Sequence, residues 1–431
     1  MDVARASLRA DWLARIEAHP GLLCGFRPFF VLTAGSAVLF MALWLAALAG
    51  GLPGLQRLPG GALAWHAHEL VFGFGMASIA GFLLTAVPEF TGCAAVSRRT
   101  LLSLALLWIC ARLAFVLAPA WPAAIGIWPA ALCNLGLATA LLAHLVPPLW
   151  RDPARRHRSF AWALAALAGL QAGFFVTLAR GGHALAWLYV AVGLLMVLII
   201  VATSRISLRV VNGRIEEGRP GATPPPDVGY LARPPRRHLA AATILLCSAA
   251  EFVLGANPVT GWLALAAAAA MLNLLNDWHV GRPLFTRWAL MLYAGYWMMA
   301  AGYAWMGVAW LGAPVSASAG RHLLMAGAMG LSIFTVMCIA GRLHAGQWLD
   351  RRRWLPLAAA TLVAAALLRA LSGLPLAGAY GSAILFASGL LWIAAFAAYL
   401  WHAWPVLTGP RTDGGAGCDE PRGERAGPAC G

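Results

Sequence analysis

Apolar stretches long enough to cross a bilayer recur along the whole chain, and no other feature restricts the fold so tightly. A spanning helix needs about 20 apolar residues, within a range of roughly 17–25. Six such runs fill the first half: Phe29–Gly51, Trp65–Val87, Leu101–Leu117, Trp121–Leu145, Phe160–Leu178 and His183–Thr203. Six more fill the second: Leu239–Gly255, Val259–Leu275, Leu284–Leu311, His322–Ala340, Leu355–Leu371 and Ala379–Trp401. Hydrophobic residues make up 61% of the 431 and charged residues only 11%. A soluble domain has about 45–50% and 25%. So much apolar surface cannot be hidden inside a water-soluble particle of this size. The expected fold is all-α, a polytopic integral membrane bundle of about twelve helices. A soluble enzyme, a disordered chain and a nucleic-acid binder are excluded.

The net charge of +15 is a matter of topology. All 31 cationic side chains are arginine. With a cytoplasmic N-terminus, 26 of the 31 fall in cytoplasmic segments. Only Arg57, Arg180, Arg321 and Arg369 fall outside, and Arg112 lies within a span. This follows the positive-inside rule. A miscount by one helix would scramble the asymmetry, so it also supports twelve spans with both termini cytoplasmic. The predicted organisation is a cytoplasmic segment 1–28, a membrane half 29–203, a basic loop 204–238 containing Pro-Pro-Pro at 224–226, a second half 239–408 and a disordered tail 409–431. No repeat relates the halves. The eight cysteines show no Cys-x-x-Cys spacing, and no disulfide framework is expected.

Polar groups inside the membrane are costly and are functional candidates. Arg112 and Glu251 could form an ion pair if their helices touch; alternatively Arg112 reaches the interface along its own stem. Histidine depth carries more information. His66, His68, His183 and His322 fall at outer helix ends, whereas His144, His344 and His402 fall at inner ends. Trp65-His66-Ala67-His68-Glu69 opens the second helix, and His66 and Glu69, three apart, should share a face. His68 should point elsewhere, toward Phe72. His322, Met325 and Met329 form one stripe at helical spacing. Imidazole with thioether is a ligand set that copper accepts, and imidazole also serves haem iron. The bland reading is that an interfacial histidine is merely amphipathic and that such methionines pack the core.

Several segments resemble the NnrS family of bacterial membrane proteins. They are Gly25-Phe26-Arg27-Pro28-Phe29-Phe30, the Trp65–Glu69 motif, Ala80–Pro88 with Thr91-Gly92, Arg342 with His344-Ala345-Gly346, and Pro410-Arg411-Thr412-Asp413-Gly414. The chain departs from the family pattern at Glu89-Phe90, where that pattern has Asn-Trp. The resemblance implies haem and copper, and a role in nitric oxide metabolism or protection against nitrosative stress, often beside denitrification. It implies a place in the bacterial inner membrane. The candidate cofactor-binding residues are then His66, His68, His183, His322 and His344. The candidate metal ligands are His66, His68, Glu69, His322, Met325 and Met329. Expected partners are membrane lipid, nitric oxide or a related small molecule and an electron donor, with no nucleic acid. Enzyme, scavenger and carrier all stay open.

Two other readings compete. A haem–copper oxidase subunit would need a His-His or His-Pro-Glu run in the membrane, and none occurs there. A secondary transporter without cofactor would suit six spans plus six around a long loop. Asn134, Gln171, Asn273 and Asn276 could then line a midplane cavity.

Overall fold

The computed structural model describes residues 14–122, 124–153, 155, 157–217, 219, 228–415, 417–418 and 420–421. Among them there is no strand. Twelve long helices follow one another: α1 Phe26–Leu48, α2 Gly61–Thr91, α3 Arg98–Val116, α4 Trp128–Arg151, α5 Arg158–Ala179 and α6 Leu185–Val211, then α7 Pro234–Leu254, α8 Pro258–Leu275, α9 Arg287–Trp310, α10 Ala317–Leu343, α11 Trp354–Leu371 and α12 Gly381–Thr408. Each expected span has its helix. Eleven are long and apolar enough to cross a membrane. The remaining one, α9, is 24 residues long and is diluted by tyrosine, tryptophan and glycine.

Local chemistry sets several boundaries. Ser97 Oγ accepts from the Thr100 N–H at 3.2 Å and starts α3. Asn257 Oδ1 accepts from the Val259 and Thr260 N–H groups at 2.8 and 3.2 Å, and Pro258 follows as the first residue of α8. Such caps satisfy N–H groups that have no partner within the helix. Gly92, at φ +67°, ends α2 in the left-handed conformation that glycine adopts without strain.

Burial decides which helices are central. The membrane-crossing part of α2 is 89% buried and that of α10 is 78%, while none of the other nine of those eleven exceeds 50%. The remaining helices wrap these two. Small residues let them close in: a Cβ on Gly320 of α10 would lie 2.7 Å from the Gly302 carbonyl oxygen of α9. Both central helices contain a π-helical segment, Glu69–Phe74 in α2 and Leu323–Met329 in α10. Such segments are rare and concentrate at functional sites.

Two expectations about the termini and the loop change. Helix α6 runs on to Val211, so Arg205 and Arg209 are helical and do not belong to the basic loop. Pro224–Pro226 lie outside the described residues. The tail was expected to be disordered, but much of it from Gly409 to Pro421 is tied down. Buried Arg27 donates through Nη1 to the Gly409 carbonyl at 2.6 Å. Arg411 donates to the His344 carbonyl at 3.1 Å, and Glu420 takes a two-pronged pair from Arg209 at 2.6 and 2.7 Å. Cys24 and Cys418 form a disulfide across 394 residues, against the expectation of none. Cysteine spacing along the chain cannot reveal a pair so remote, which meets only because both ends reach one end of the bundle.

Candidate functional site

At the arginine-poor end, the N-terminal parts of α2 and α10 bring His66 and His322 to one cavity. Met325 and Met329 of the predicted stripe line it, with Met41 and Trp44 of α1 and Arg369 of α11. Its volume is about 50 Å³, room for an ion and a water or two. The His66 ring stacks on Trp44 with centroids 4.2 Å apart and planes 14° apart. That contact fixes the ring. Its Nδ1 is buried and has no hydrogen-bond partner. His322 Nδ1 lies 2.7 Å from the Ser318 carbonyl oxygen. A carbonyl only accepts, so Nδ1 carries the proton and Nε2 presents a lone pair. A metal-binding histidine is held in this way by its second nitrogen.

His68 and Glu69 leave this cavity for another neighbourhood. His68 Nδ1 meets Glu69 Oε1 at 3.0 Å. Its ring sits among Phe72, Phe115, Phe174 and Phe175, with centroids 4.9–5.5 Å away. Glu69 Oε2 accepts from Arg112 at 2.8 Å, and Arg112 also bonds Asn134. Gln171 donates to the same Asn134 oxygen at 3.1 Å. All five polar residues are buried. The expected common face for His66 and Glu69 therefore fails. At roughly 3.6 residues per turn, positions three apart differ by about 60° around the axis, which lets Glu69 turn to Arg112 while His66 turns to the cavity; the π turn begins only at Glu69.

The possible Arg112–Glu251 pair is likewise corrected. Arg112 pairs with Glu69, and Glu251 pairs with Arg321 at 2.6 Å. Each charge finds a nearer partner, which satisfies it without bringing α3 to α7. Asn134 and Gln171 thus belong to the ion-pair network. His183 is exposed in the turn before α6 and reaches no part of the cavity. His344 lies at the opposite end. There it bonds the Cys418 carbonyl oxygen at 2.8 Å through Nδ1, and its Nε2 is 3.7 Å from Glu89. Through Nδ1 it holds the tail.

His344 also borders a second cavity, of about 150 Å³, with Glu89, Arg205, Arg209 and Glu420. Near it, beyond the spans, Asp413 is held below the usual carboxylate range by the hydrogen bond from Arg411, against some burial. Burial pushes Glu420 up, but the hydrogen bond and charge of Arg209 outweigh it and lower its pKa. Sequence reasoning missed Met41, Trp44, Arg369 and the Ser318 carbonyl. Of these only Arg369 carried a signal, as a rare arginine at the outer side.

Neither cavity has room for a porphyrin. Sites for cofactor-sized ligands take roughly 300–1,000 Å³, against about 50 and 150 Å³ here. The haem implied by the resemblance is therefore not assigned to either of these two cavities. Among them, no three His, Cys, Asp or Glu side chains converge as a metal site. A metal at the outer cavity therefore has to use thioethers beside the two imidazoles. That donor set fits Cu(I), which favours soft sulfur.

The fold and this cluster define a polytopic helical membrane protein with paired imidazoles and thioethers at one end of its two central helices. The family model described as NnrS protein matches residues 20–411. The chain belongs to the NnrS family, and so to the nitric-oxide-related membrane proteins in general. No curated protein matches it.

Proposed function

We propose that the chain binds copper at the outer cavity and acts there on nitric oxide, in nitric oxide metabolism or in protection against nitrosative stress. The observation that carries this is the convergence of His66 Nδ1, which has no partner, and His322, whose proton is fixed on Nδ1, on a cavity lined by Met325 and Met329. Copper held there supplies one-electron chemistry and a place for a diatomic ligand. The protein's part is positional. Trp44 orients the His66 ring, and the Ser318 carbonyl sets the His322 tautomer. Arg369 places a fixed positive charge in the wall. That charge opposes a divalent cation more than a monovalent one, and it favours an anionic product. An electron donor is required as partner. The arginine asymmetry supports insertion in the bacterial inner membrane with both termini cytoplasmic and this cavity facing outward.

The test is metal content of the detergent-purified protein after loading with Cu(I). Replacing His66 and His322 together by alanine should remove bound copper while membrane insertion persists. His68→Ala, in the separate network, should keep it. Full copper retention by the double variant would overturn the assignment.

A further inference from the structure

A third cavity, of about 80 Å³, opens between α2, α5, α6 and α10, and Ile79, Phe82, Leu198 and Val336 in its walls are only half-buried. It shares Met329 with the outer cavity, and it shares Phe82 and Ala202 with the cavity at the arginine-rich end. The third cavity thus shares wall residues with each of the other two. Its walls are hydrocarbon and aromatic except for Ser78, Thr203 and Ser332. The Thr203 hydroxyl is already engaged with the Ile199 carbonyl and the Tyr296 hydroxyl, both at 2.6 Å. With Thr203 engaged, Ser78 and Ser332 leave a water at most two hydroxyl partners, the fewest it accepts, and largely apolar cavities take up small apolar molecules. An ion would lose its hydration without replacement.

We infer that the third cavity binds small uncharged apolar molecules of diatomic-gas size beside Met329, a wall residue it shares with the outer cavity. Such molecules dissolve in the hydrocarbon of the bilayer, so the store fills from the membrane. The volume of about 80 Å³ is that of two to three waters, each taking roughly 30 Å³. This limits the occupant to one or two small molecules. As a store for the outer site the cavity rests on the reading above; as a binding site it does not need the metal.

Xenon is the probe, because it is apolar, small and visible by anomalous scattering and by 129Xe NMR. Purified full-length protein under xenon should show a site between α2, α5, α6 and α10. Ala202→Phe, which fills the space from α6, should abolish it. Ser78→Leu does the same from α2, should the first variant fail to fold. The His66→Ala/His322→Ala protein should bind xenon like the wild type, so that loss of the copper reading and loss of this one are told apart. Absence of xenon from the wild-type cavity, or ordered water or a lipid chain in its place, would overturn the inference.

Discussion

His66 and His68 are two residues apart and have separate fates. His66 meets a wall of methionine and tryptophan with one nitrogen unsatisfied. His68 is locked to Glu69, and through it to Arg112, Asn134 and Gln171. The second arrangement is structural in a demanding way. A buried pair contributes little net stability, but removing one partner leaves an uncompensated charge and costs about 3–5 kcal/mol. Arg112→Met should therefore destabilise the protein by about that much. Adding Glu69→Gln should restore a large part, because the stranded carboxylate is gone. Thermal unfolding of the purified variants measures both. Equal stability of Arg112→Met and wild type would refute the structural role given to the pair.

The π-helical segments place these side chains. In α2 the segment ends beside Gly73, whose carbonyl accepts from the Trp108 indole N–H at 3.0 Å. A Cβ on Gly73 would lie 2.8 Å from an Arg112 nitrogen, 2.9 Å from the Phe40 ring and 3.0 Å from Glu69 Oε2. Gly73→Ala should then cost about 1–3 kcal/mol through overpacking. Gly169, inside α5, has nothing within 4 Å of such an atom. Gly169→Ala should be neutral or stabilising by up to roughly 1 kcal/mol, from helix propensity alone. Unfolding midpoints of the two variants make the comparison. The opposite ranking would refute the role given to the crowded turn. Nothing in a one-dimensional apolar pattern shows a π turn, because one wider turn barely disturbs the periodicity.

Across the whole molecule, the two ends do different work. The arginine-rich end is sealed by the chain termini: Arg27 of the Phe-Arg-Pro-Phe-Phe segment grips the backbone at Gly409, and Arg411 reaches back to His344. Two motifs far apart in sequence are thus halves of one clasp. Its carboxylates predict a pH dependence. Asp413 and Glu420 both titrate below their ordinary values because of arginine partners. A lowered folded pKa gives stability that is complete above the unfolded value, about 4, and is lost as pH falls through the folded one. Protection of residues 409–421 against limited proteolysis should hold from neutral pH down to about pH 4 and disappear below it. Asp413→Asn should weaken protection across the pH range in which the wild type is protected. Loss of protection already near neutral pH would refute control by these carboxylates.

Much was legible in the residue order. Apolar runs interrupted by arginine demand twelve helices in a bilayer, since only hydrogen-bonded helices or closed barrels satisfy the backbone there. His322, Met325 and Met329 were legible as a candidate stripe, and all three line the outer cavity although the π segment Leu323–Met329 runs through the stripe. Which faces meet was decided by packing. The structure joined that stripe to His66, gave Arg112 to Glu69 and Glu251 to Arg321, and tied Cys24 to Cys418. Hydropathy is a local property, summed along the chain, and it carries no information about partners. Partner choice depends on the distances between helices, and those exist only once the bundle has closed.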